Sequence, residues 1–88
     1  MSIRATGTVA RLYVRQELTY IKLAIPAASA PKEELFTLRM DHPNYNAQFS
    51  LVLAAAANRW PLTIRIVGDA DIAPEREANV NYLVVDWE

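Results

Sequence analysis

The 88-residue chain has no cysteine, one histidine and only two glycines. Without cysteine there are no disulfides and no thiolate metal sites. His42 alone cannot build a histidine cluster. Gly7 and Gly68 lie too far apart to form a glycine-rich phosphate loop. No stretch approaches the roughly 20 apolar residues of a membrane span, so membrane insertion is not expected. The N-terminal MSIRATGTVA lacks the apolar run of a signal peptide. If the chain is complete, these absences fit a reducing compartment such as the cytoplasm. Charge of either sign is also scarce in excess: the net charge is −1, so the whole molecule is not drawn to nucleic acid or acidic membrane.

A chain of this length makes one domain over residues 1–88. Such a domain buries only roughly 60–65% of its unfolded surface and is marginal alone. With no disulfide or metal available, oligomerisation is the expected stabiliser.

The hydrophobic pattern has period two in most of the chain. Over residues 6–16, Ala10, Leu12 and Val14 alternate with Val9, Arg11, Tyr13 and Arg15. Residues 18–25 set Ile21, Leu23 and Ile25 against Tyr20, Lys22 and Ala24, close enough to the first strand for a hairpin. Residues 26–34 hold two prolines and read as a loop. Residues 35–40 form a third strand, with Phe36, Leu38 and Met40 opposed to Leu35, Thr37 and Arg39. Residues 62–67 form a fourth, with Leu62, Ile64 and Ile66 inward and Thr63 and Arg65 outward. A polar loop at 68–78 precedes a fifth strand at 79–87.

Between the third and fourth strands the spacing predicts a helix. Asp41 or His42 suits its cap, Pro43 its first turn, and Pro61 stops it after about Asn58. The order β-β-β-α-β-β predicts a mainly β chain with one helix: an OB-fold-like, five-stranded Greek-key barrel. A two-layer α+β sandwich is the competitor.

From Pro43 to Asn58 there is no charged residue. At 100° per residue, Tyr45, Phe49, Val52, Leu53 and Ala56 share an apolar arc, with Trp60 beside it, that would plug the barrel. The opposite arc carries Asn46, Ala47, Ser50, Leu51, Ala54, Ala57 and Asn58. Alanine-rich helices can simply face water. An exposed face usually carries Lys or Glu, however, so this arc is expected to form a homo-oligomer interface.

The cations Arg11, Arg15, Lys22, Arg39 and Arg65 fall on outward strand faces, and Tyr13 and Tyr20 share those faces. Arg11, Tyr13, Arg15, Tyr20, Lys22 and Arg39 make the candidate ligand-binding set. Basic strands interleaved with aromatics grip single-stranded nucleic acid on OB-folds. The same residues suit stacking on a sugar and bonding its hydroxyls or carboxylate. A solvated surface with cross-strand packing of long side chains remains the plain alternative. Asp69-x-Asp71 lacks the Gly and Glu of a calcium loop and reads as a polar turn, so no metal is expected. His42 has no Cys or Ser partner nearby and reads as a cap or turn residue. No enzyme and no cofactor are expected.

The block NYNAQFSLVLAAAANRWPLTIRIV (44–67), an aromatic-rich helix, a polar break and an Ile-Arg-Ile strand, resembles the B subunits of pertussis- and subtilase-type AB5 toxins. The resemblance implies OB-folds in a pentameric ring, helices lining the pore and glycans bound on the outer barrel surface. Those subunits are exported and disulfide-bonded, whereas this chain has no cysteine or visible leader. Their glycan-contacting residues align with nothing here, and none is carried over. The expectation is a non-enzymatic homo-oligomeric ring that binds a glycan, with five subunits as the resemblance implies. The alternatives are a single-stranded nucleic-acid binder and an assembly or scaffold protein with no small ligand.

Overall fold

The computed structural model describes residues 3–86. It is mainly β with one helix, but it has six strands where five were expected. These are β1 (Arg4–Gly7), β2 (Val9–Val14), β3 (Leu18–Leu23), β4 (Phe36–Arg39), β5 (Leu62–Ile66) and β6 (Ala78–Val84). Helix α1 (Tyr45–Asn58) lies between β4 and β5. The expected loop 26–34 contains two 3-10 turns, Ala27–Ser29 and Lys32–Glu34. Trp87, the end of the expected last strand, lies outside the described residues.

The extra strand comes from a change of partner at Thr8. β1 pairs antiparallel with β5, and β2 pairs antiparallel with β3. The Thr8 carbonyl accepts the Ala24 N–H at 2.8 Å. Gly7 permits this crossing: a Cβ there would stand 3.0 Å from Ile25 Cγ2 and 3.3 Å from the Ala24 carbonyl oxygen. The six strands run in the order β1-β5-β6-β4-β3-β2. Its two outermost strands are therefore joined through one residue, which spans only about 3.5 Å. The sheet must curl, giving a barrel-like form. Pairing is antiparallel except for β4 and β6, which run parallel with Phe36 opposite Ala78 and Thr37 opposite Asn79.

The core lies inside the curl. Ile21, Phe36, Leu38, Val52, Ala55, Leu62 and Ile64 are fully buried, with Leu23, Ile66 and Val80 nearly so. Burying each large aliphatic or aromatic side chain stabilises the fold by about 1.5–3 kcal/mol. The alternation expected for β3, β4 and β5 holds as far as Leu38 and Ile66. Met40, expected inward, follows the end of β4 and is 53% exposed. In β2 the register slips between Val9 and Arg11, so Ala10 is an extra residue. This bulge turns Val9 to the core beside Leu12 and leaves Ala10 outside, against the expected alternation. Val14, opposite Thr19, is left 55% exposed at the strand end.

Helix α1 starts later than expected, with Asn44 as its cap residue rather than Asp41 or His42. Both side chains are engaged elsewhere. Arg39 donates to both Asp41 carboxylate oxygens, at 3.0 and 3.1 Å. The Asn44 N–H donates to His42 Nδ1 at 3.0 Å, which leaves Nε2–H to donate to the Asn81 carbonyl at 2.9 Å. At the other end Arg59 is left-handed (φ 56°, ψ 35°), while the Arg59 and Trp60 N–H groups bond the Ala56 and Ala55 carbonyls. This is a Schellman-type stop with arginine where glycine is usual.

The helix is also rotated from its expected setting. Gln48, Val52 and Ala55 face inward, and Gln48 Nε2 donates to the Asn81 carbonyl at 3.0 Å. That bond draws a polar residue to the sheet and swings the helix about its axis. Leu51, expected on the arc that forms the oligomer interface, packs against the core, while Leu53, expected inside, is 44% exposed. Tyr45 and Phe49 pack on the core as expected, and the Tyr45 hydroxyl shares a 3.0 Å hydrogen bond with buried Thr19.

Candidate ligand-binding surface

Pairing of β2 with β3 places Arg11 opposite Lys22 and Tyr13 opposite Tyr20. The two tyrosine rings lie 5.8 Å apart between centroids, tilted by 31°. Tyr13 is 48% exposed, so the pair offers an aromatic platform to solvent. Across β4 and β6 the row continues, with Tyr20 opposite Thr37 and Thr37 opposite Asn79.

The other members of the predicted set fall around this row. Arg15 lies in the turn after β2, where its N–H bonds the Leu18 carbonyl at 2.8 Å. Arg39 pairs across strands with Leu18, at the same end of the sheet. Arg39 is held by Asp41, whose carboxyl lies below the ordinary aspartate value, first because of that hydrogen bond. Lys22 Nζ lies 3.8 Å from a Glu34 carboxylate oxygen. Two of the predicted cations therefore carry their own counter-charge. Like charges directly opposite cost a few tenths to about 1 kcal/mol, and Glu34 offsets that cost for the pair Arg11 and Lys22.

A small cleft of about 60 Å³ opens beside Tyr20, lined also by Lys32, Glu33, Leu35, Thr37 and Glu77. The sequence pattern singles out none of these residues beside Tyr20 as part of one site. Glu33 and Glu77 are 44 positions apart (77 − 33), and no local pattern links them. The link is tertiary: the Lys32 N–H bonds the Arg76 carbonyl at 2.7 Å, tying the two loops together. Glu33 and Glu34 both have positive φ, 59° and 61°, in the 3-10 turn that carries them.

Arg65 stands apart from the predicted set. It faces Arg4 on β1 and Tyr82 on β6, with its guanidinium carbon 6.0 Å from the Tyr82 ring centroid. Arg4 donates to the Tyr82 hydroxyl at 3.1 Å, and the Thr6 and Thr63 hydroxyls meet at 2.7 Å.

His42 is a turn residue, with both ring nitrogens engaged beside the helix start. Its partner Asn81 is the extra residue of a bulge, since Arg65 faces Tyr82 while Ile66 faces Val80. Gln48 shares that carbonyl, and its own Oε1 is buried without a hydrogen-bond partner among the described residues. On the outer side of α1, Asn46, Ala47, Ser50, Ala57 and Asn58 are exposed together with Leu53, and Ala54 is half-buried.

Among the described residues no group of three or more His, Cys, Asp or Glu side chains could hold a metal ion. No helix there is long and apolar enough to cross a membrane. Compared with known protein families, curated proteins and solved structures, the chain matches none.

Proposed function

We propose that this chain is a non-enzymatic glycan-binding module that works as a homo-oligomer. The observation that carries the reading is the exposed Tyr13–Tyr20 pair beside a cleft with polar walls. An aromatic ring takes the apolar face of a sugar, and flanking hydroxyl, amide and carboxylate groups bond its hydroxyls. The connectivity supports an OB-type barrel. If β1 and β2 are counted as one strand bent at Thr8, five strands remain, with the helix between the third and fourth. On that fold the faces of the second and third strands bind oligosaccharides and oligonucleotides, and here those strands carry Tyr20, Lys22, Thr37 and Arg39.

The nucleic-acid alternative rests on Arg11 and Lys22 standing side by side. It is weakened by Glu34 and Asp41, which neutralise Lys22 and Arg39, and by the acids around the cleft. The uncharged outer face of α1, with Leu53 among small neutral residues, supports self-association. A ring, pentameric as in the AB5 B subunits that the chain resembles, would present several weak sites at once and multiply apparent affinity. A glycan array probed with the intact protein, beside a labelled oligonucleotide titration at two salt concentrations, tests the reading. Glycan binding is expected. Binding of oligonucleotide alone, with the steep salt dependence of phosphate contacts, would overturn it.

A further inference from the structure

We infer that the saccharide recognised at the Tyr13–Tyr20 face is a neutral one, whose hydroxyls are bonded by the carboxylates of Glu33 and Glu77. This rests on the glycan reading above and names the ligand class.

The predicted set alone suggests the opposite. Arg11, Arg15, Lys22 and Arg39 read as a basic surface suited to an acidic sugar or a phosphate. Folding rearranges that charge. Lys22 leans towards Glu34 at 3.8 Å, and Arg39 is held by Asp41 at 3.0 Å. Arg15 sits in the hairpin turn, and the cleft beside Tyr20 does not include it. The cleft is lined by two acids, Glu33 and Glu77, and one cation, Lys32. Neither carboxylate makes an ion pair among the described residues. An anionic ligand on Tyr20 would meet Glu33 and Glu77 directly and Glu34 close by. Like-charge juxtaposition of this kind selects against a partner.

The same groups fit a neutral polyol. An ionised carboxylate accepts two hydroxyl donors at once, and charge-assisted hydrogen bonds are about twice as strong as neutral ones. Lys32 can donate to a ring or hydroxyl oxygen, and the Thr37 hydroxyl can donate or accept. The cleft, at about 60 Å³, holds one hydroxyl or hydroxymethyl group rather than a whole ring. The sugar ring itself would lie over the tyrosine pair. The two loops that carry the acids are tied by the 2.7 Å bond from Lys32 N–H to the Arg76 carbonyl, so the backbone on either side of the cleft is fixed before the ligand arrives.

The test uses the intact protein and an array pairing neutral hexose oligosaccharides with counterparts bearing a terminal uronic acid or sulfate. Hits are then titrated by calorimetry. Neutral members are expected to bind and acidic counterparts to bind at least tenfold more weakly. Glu33→Gln and Glu77→Gln should each weaken neutral binding about tenfold, the size of one charged hydrogen bond. Melting curves of the Gln variants should match the parent, which separates a ligand contact from a fold defect. Preference for the acidic members, with Arg11→Ala weakening them, would overturn this inference while leaving glycan binding intact. An array blank for both classes would instead overturn the glycan reading itself.

Discussion

His42 Nε2 lies 2.9 Å from the Asn81 carbonyl oxygen, a contact that joins the start of α1 to the bulge in β6. Gln48 reaches the same oxygen at 3.0 Å. The bulge leaves Asn81 out of register with β5, and the turn before α1 and the helix itself each supply it with a hydrogen-bond donor.

The two donors should respond differently to substitution. His42→Ala removes the bond to Asn81 and the acceptor for the Asn44 N–H, and should lower stability by about 1–3 kcal/mol. Gln48→Met removes one bond but also a buried oxygen with no partner, and His42 still serves Asn81. It should change stability by less than about 1 kcal/mol. Urea denaturation of both variants decides the matter. Equal losses would mean that Asn81 needs both donors.

Leu53 and Leu51 separate assembly from folding. Wild-type protein should elute with a scattering mass several times the 9.9 kDa of the chain. Leu53→Glu, on the exposed face, should give a folded monomer with an unchanged circular dichroism spectrum. Leu51→Glu places a carboxylate against the core and should cost several kcal/mol, unfolding so small a domain. A wild-type monomer at micromolar concentration would end the oligomer proposal.

Arg59→Gly should stabilise the fold. The left-handed backbone at Arg59 costs an ordinary residue about 1–2 kcal/mol, and glycine recovers part of that after its larger unfolded-state entropy, leaving about 0.5–1 kcal/mol. Thermal melting should show a rise of a few degrees. A fall would mean that the Arg59 side chain supplies a contact worth more than the backbone strain.

The Arg39–Asp41 pair sets a small acid sensitivity. The Asp41 carboxyl is held below its ordinary value, chiefly by the hydrogen bond from Arg39. A depressed carboxylate contributes stability that is complete above the ordinary aspartate range. That contribution is lost as pH falls through the lowered folded value. Both side chains are exposed, so salt should weaken the effect. Stability measured against pH for Asp41→Asn should show a shallower decline at acid pH than the parent, with the difference shrinking in high salt. Parallel curves would show that the pair adds nothing.

Much of this architecture follows from the sequence alone. Alternation at Ile21 and Leu23, Phe36 and Leu38, and Leu62, Ile64 and Ile66 specifies which strand faces are buried, because side chains in a strand alternate by geometry. A single helix between the third and fourth strands, ending near Asn58 and without charge, follows from local spacing and composition; its start at Tyr45 rather than beside Asp41 or His42 does not. Tertiary structure decided what local periodicity does not encode. The strand break at Thr8 depends on which partners β1 and β2 find in the curled sheet. The bulges at Ala10 and Asn81 reset alternation, and the pull of Asn81 on Gln48 rotates the helix until Leu51 and Leu53 exchange places. Tyr13 and Tyr20 are legible as a pair because a short hairpin joins them. Glu33 and Glu77 are not, since a long-range backbone bond, and no pattern in the chain, carries them to the same cleft.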